Sequence, residues 1–251
     1  MKPPNGASTP AVTDATLLLR TGAAAGVGSA VVAVIFNAVH PRATSSSLND
    51  VVELLRIVSR SGSWRLVHVA SVVATLGGVA AIVAVLWSIL LAGSPRWAVI
   101  AFVSLVITTP ILLLSVGIDG FAIKAIADRW ARAAPADRPA LEAAATALRG
   151  VDVGVLNLVM LGQFGLTAIL IGVASASSAL YGKAVGAVAV AGGILGVVCG
   201  GMQGLSGRLT TLSYLVLLTA SLALFTLWLV LASLVLWRAA PDVARKEAGI
   251  P

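Results

Sequence analysis

Residues 66–92 read LVHVASVVATLGGVAAIVAVLWSILLA, a stretch with a single ionisable side chain, His68, one turn from its start. A helix packed on a soluble core keeps a polar face opposite its apolar stripe. This stretch has no such face and exceeds the roughly 20 apolar residues that cross a hydrocarbon layer of about 30 Å. It therefore predicts a transmembrane helix.

Five further runs have the same character, at 18–39, 97–118, 151–176, 184–206 and 209–237. The chain has 251 residues, of which 59% are apolar and 11% charged. Soluble domains carry about 25% charged residues, so no soluble fold could hide this much apolar surface. The expected fold is all-α, an integral membrane bundle of six transmembrane helices with short interfacial helices in the two long loops. The membrane domain covers 18–238, between a mobile N-terminal tail at 1–17 and a C-terminal tail at 239–251. The first run is too long for a signal-peptide core and is followed by a poor cleavage site, so it reads as a retained helix.

The first long connection, 41–65, holds a short amphipathic helix. Asp50 and Glu53 fit a capping pattern, and Val51, Leu54, Leu55 and Val58 form its apolar stripe. In the second, 120–149, the third helix is expected to continue through Lys124, Asp128 and Arg132. A break follows near Pro135, and Asp137 and Pro139 open another helix. Trp97, Tyr181 and Trp237 map to one membrane interface, and Trp64, Trp130 and Tyr214 to the other, with Trp87 and Trp228 deeper.

The net charge of +7 is carried between the apolar runs. That placement serves orientation and headgroup contact, and no contiguous basic face for nucleic acid exists. Each short link on the side of the termini carries a base, Arg96 or Lys183, and the chain after Trp237 is basic. These features place both termini in the cytoplasm, against a raw count that favours the other side. Lone Cys199 lies inside an apolar run, so it cannot build a disulfide framework and reads as a small core residue.

The fifth span carries Gly192, Gly196, Gly200 and Gly204 at four-residue spacing, a ridge that lets another backbone approach closely. It serves either packing within the chain or a homodimer seam. A leucine at Gly200 or Gly204 is expected to disrupt assembly either way.

Ionisable groups within membranes are costly and mark functional positions. Asn37 and His40 close the first span; Trp64, Arg65 and His68 open the second. Ser115 and Asp119 end a polar face of the third that begins at Ser104 and Thr108. Asp152 opens the fourth, and Gln163 lies three turns on along the same face. Alternating helix direction brings His40, His68, Asp119 and Asp152 to one depth, under the long loops, with Lys124 nearby. Two imidazoles and carboxylates suit a divalent ion such as zinc. A His–Asp pair could instead relay protons, and two histidines could ligate haem axially. The duller alternatives are local: His40 and Asp119 ending helices, His68 bonding a neighbouring helix, Asp119 pairing with Lys124 or Arg65, and Asp152 favouring a helix start. Pro110 should kink the third span.

The pattern His40-Pro41, a loop with a short amphipathic helix, Trp64-x-x-x-His68 and then Asp119-Gly120 resembles uncharacterised multi-pass membrane proteins of actinobacteria, and is distantly similar to the DUF4386-type family. The resemblance covers roughly the first half of the chain. It implies a helical bundle in a bacterial cell membrane and no established activity, so it assigns no catalytic residue.

No phosphate-binding loop, nucleophile elbow, dinucleotide fingerprint or zincin helix occurs. The leading expectation is a non-catalytic subunit, scaffold or regulator whose polar cluster holds a metal ion or haem. The alternatives are a small-solute or proton-coupled transporter using His68 and Asp119, and an enzyme with a metal-activated water.

Overall fold

A computed structural model describes residues 10–41, 49–93 and 95–248. The first nine residues of the expected mobile tail, Arg42 in the first long loop, and the last three residues of the C-terminal tail lie outside the described residues. Six helical segments are long and apolar enough to cross a membrane: Val12–Val39, Trp64–Leu91, Arg96–Arg132, Arg138–Ser177, Gly182–Ser206 and Thr211–Glu247. The chain is a multi-pass membrane protein built as an all-helical bundle.

The first helix, α1 (Pro10–Val39), begins well before the apolar run, so residues 10–17 of the expected tail are helical. A short α2 (Val51–Arg60) follows, then α3 (Trp64–Leu91). The third span is α4 (Pro95–Gly117), a π-helical stretch at Ile118–Ile123, and α5 (Lys124–Arg132). Pro110 lies inside α4. The fourth is α6 (Arg138–Leu161), a π-helical stretch at Gly162–Thr167, and α7 (Ala168–Ser177). The fifth is α8 (Gly182–Ser206). The sixth begins as a π-helical stretch at Thr211–Leu218 and continues as α9 (Thr219–Glu247).

The helix expected from Pro139 forms, and it runs directly into the fourth span. The second long connection therefore closes to a few residues between α5 and α6. Asp50 caps α2, its carboxylate accepting from the backbone N–H groups of Val52 and Glu53. Leu54, Leu55 and Val58 pack with Trp64, Ile123, Ala127 and Ala145 into a small second core over the extended third and fourth spans.

Around the bundle, α1 packs on α3 and α9, α3 on α4, α4 on α6, α6 and α7 on α8, and α8 on α9. The main core fills the end nearest the termini and the middle of the bundle, around Ile82, Val85, Leu86, Ile89, Leu105, Ile171 and Trp228.

The glycine ridge is used mainly inside the chain. A Cβ at Gly196 would overlap the Phe164 carbonyl, and one at Gly200 would meet Leu161 and the Asn157 carbonyl. Gly192 lies less tightly against Ser221 and Leu224 of α9, where a Cβ would sit 3.1 Å from Leu224, and the Ser221 hydroxyl donates to the Gly192 carbonyl at 2.9 Å. Gly204 meets nothing within 4 Å, so the leucine expected to disrupt assembly there has open space. A second set that the four-residue spacing does not reveal, Gly165, Gly172, Gly186 and Gly193, brings the backbones of the fourth and fifth spans together.

Candidate metal centre and cavity

Three of the four clustered ionisable residues meet at the end of the bundle where α1 finishes and α3 begins, the loop end. His40, His68 and Asp119 each offer one ligand atom, and these atoms lie within 4.8 Å of one another. His68 is buried, and its Nε2 stands 3.2 Å from Asp119 Oδ2. The two imidazoles contact each other edge to face, with ring centroids 5.2 Å apart, and Trp64 lies 5.0 Å from each.

Trp64 does more than fill space. Its indole N–H donates to the Asp119 carbonyl at 3.0 Å, tying the second span to the third at the acid. Its own carbonyl accepts from His68 Nδ1 at 2.7 Å. His40 has the same arrangement, with Nδ1 3.0 Å from the Pro41 carbonyl. A carbonyl only accepts, so Nδ1 carries a proton in both rings, and Nε2 is the atom that either donates a second proton, as His68 can to Asp119, or offers a lone pair. Burial holds the His40 imidazole below its ordinary 6.5, although Asp119 pulls the other way.

Gly120 makes room for this contact. A Cβ there would overlap the Cβ and ring of His68, so only glycine lets the second span lie against the third at this level. Asp119 and Gly120 both sit in the π-helical stretch of the third span. Such turns shift the register of the side chains that follow and are frequent at functional sites.

Below the triad a cavity of about 300 Å³ runs into the bundle, lined by all four clustered residues and by Asn37, Ser115 and Gln163. Asp152 is not part of the triad. It is buried and paired with Arg149, one turn earlier on α6, at 2.5 Å. Gln163 accepts from the Thr108 hydroxyl; Thr167 joins Thr108 at 3.2 Å and Ser104 at 2.6 Å. That chain seals the polar face of the third span against the fourth.

The remaining supporting residues lie elsewhere. Arg65 reaches Asp128 at 3.1 Å, and Lys124 also pairs with Asp128, at 2.8 Å. Lys124 donates in addition to the Val58 carbonyl at 3.0 Å, so it holds α2 down and leaves Asp119 to the histidines. Arg149 and Tyr214 also line the cavity; in the sequence Arg149 is only the last residue of the 120–149 connection and Tyr214 an interface aromatic. Each of the three π-helical stretches contributes a polar cavity residue: Asp119, Gln163 and Tyr214. π-helix accounts for well under 1% of residues in globular proteins, so three stretches converging on one cavity set this region apart.

No family model, curated protein or solved structure matches the chain. Its function has to be read from the geometry.

Proposed function

We propose that the protein is a membrane-embedded binder of a divalent metal ion of the zinc class, held by His40, His68 and Asp119, and that it acts as a non-catalytic subunit or regulator. One observation carries this reading. With Nδ1 of both rings tied to a backbone carbonyl, His68 Nε2 faces Asp119 Oδ2 at 3.2 Å and His40 brings a third ligand atom within 4.8 Å, a donor set that a shared proton bridges at one contact and a metal ion engages at all three. Ligating histidines commonly donate their other N–H to a backbone carbonyl, which fixes tautomer and ring orientation. Zinc–ligand bonds of about 2.0–2.2 Å put tetrahedral ligand atoms roughly 3.3 Å apart. The His68–Asp119 distance is already close to that value, and the remaining ligand atom, within 4.8 Å of both, needs to close by up to about 1.5 Å. Three protein ligands leave a fourth position for water or a ligand.

Haem fits less well. Axial histidines stand on opposite faces of the macrocycle, whereas these rings touch and share Trp64 as a neighbour. A transport path would have to cross the core formed by Ile82, Leu86, Ile89 and Trp228, each 2% exposed or less. A blind site suits binding better than conduction.

Cobalt substitution tests the reading. Purified apo protein loaded with Co²⁺ is expected to show the visible absorption of a four-coordinate site. That absorption should be lost in His40→Ala, His68→Ala and Asp119→Asn. A six-coordinate spectrum unchanged by all three substitutions would overturn it.

A further inference from the structure

The cavity under the triad is deep and graded in polarity. On α3 its wall runs from His68 past Thr75 and Val79 to Ile82. Fourteen residues of helix at about 1.5 Å per residue give a depth of roughly 21 Å. A cavity of about 300 Å³ is of the order of one alkyl chain's volume. The mouth holds Arg149, Asp152 and Tyr214 beside the triad, and the floor is made by Ile82, Phe225 and Leu229.

Charge sets the character of the head. A divalent ion with neutral imidazoles is half balanced by Asp119, and Arg149 and Asp152 balance each other. One positive charge is left over at the mouth of an apolar channel, where uncompensated charge is costly. Arg149 also keeps its Nε buried, with no hydrogen-bond partner among the described residues. A monoanionic oxygen head could complete the metal's fourth position, neutralise the charge and accept from Arg149.

We infer that the cavity binds a single-chain amphiphile with a monoanionic head, of the long-chain carboxylate class, its head at the metal and Arg149 and its chain along α3 toward Ile82. This rests on the metal reading above. The carboxylate and a phosphodiester monoanion share the required chemistry. A two-chain phospholipid exceeds the cavity volume.

The test uses the full-length protein in lipid nanodiscs, loaded with zinc, with empty nanodiscs as the blank and Trp fluorescence and zinc content read on the same samples. Dodecanoate is expected to saturate at about one per chain, and dodecanol to bind at least about tenfold more weakly. Dodecyl methyl phosphate, a monoanionic phosphodiester, binding as tightly as dodecanoate would make the head any monoanionic oxygen group; weaker binding would make it a carboxylate. Val79→Trp, and independently Leu112→Trp, should weaken dodecanoate about tenfold while hexanoate and zinc are held as before. Equal binding of dodecanol, or dodecanoate unaffected by both cavity-filling variants, would overturn the inference. Zinc bound without dodecanoate defeats this inference alone, whereas absence of zinc defeats the metal reading beneath it.

Discussion

The two ends of this bundle are made by the same six spans and differ in how they are filled. Toward the termini, Ile82, Val85, Leu86, Ile89 and Trp228 pack with almost no exposure, and the Ser88 and Tyr181 hydroxyls meet at 2.7 Å, while the Trp228 indole N–H and the Ser175 hydroxyl are buried without a hydrogen-bond partner among the described residues. At the loop end three spans pass through π-helical stretches, a cavity opens, and imidazoles, carboxylates and a guanidinium gather around it. In lipid there is little hydrophobic drive between helices, so close contact rests on shape. Where shape is complete the bundle is inert; where π-helical stretches interrupt it, polar side chains gain a common space.

The fifth span shows the contrast along one helix and gives the largest expected effect. Gly196→Leu drives a side chain into the Phe164 carbonyl and should abolish recovery of monodisperse protein in detergent. Gly204→Leu, at an open position, should leave yield and melting temperature near wild type, within about 0.5 kcal/mol. Equal tolerance of both would break the comparison.

Removing one member of the buried Arg149–Asp152 pair comes next. Arg149→Met strands a buried carboxylate and should cost about 3–5 kcal/mol, and Asp152→Leu in the same chain should recover most of it. A double-mutant cycle in denaturant measures the recovery.

Packing deletions should distinguish the ends. Ile89→Ala in the filled end should cost about 2–5 kcal/mol. Leu112→Ala merely enlarges an existing cavity and should cost clearly less in the same unfolding assay.

A modest effect on stability is expected from Gly120→Ala, about 1–3 kcal/mol for the overlap with His68. Its effect on the site should be larger than that cost implies. A displaced His68 predicts at least about tenfold weaker zinc binding by competition with a chelating dye.

Much of this contrast is legible in the sequence, and the illegible part has a physical reason. The spans show as apolar runs because lipid admits little else. His40, His68 and Asp119 can be placed together because helix direction alternates and each lies at a span's loop end. The π-helical stretches are hidden, since one extra residue per turn leaves composition unchanged. They set the side-chain register that brings Asp119, Gln163 and Tyr214 to the cavity. Lys124 is near Asp119 in sequence and Arg65 opens the neighbouring span at the same membrane depth, yet Asp128, one turn beyond Lys124, takes both. The four-residue glycine spacing marks α8 as a packing helix but not its partners. In space Gly192 faces the sixth span, Gly196 and Gly200 face the fourth, and Gly204 faces neither.

On the proposed metal reading, the loop end is built around a cation. Zinc stoichiometry by elemental mass spectrometry tests this, on wild type and His68→Ala loaded, washed and purified side by side. About one zinc per wild-type chain and essentially none in the variant are expected. A wild type without zinc, or a variant that retains it in full, would overturn the metal reading.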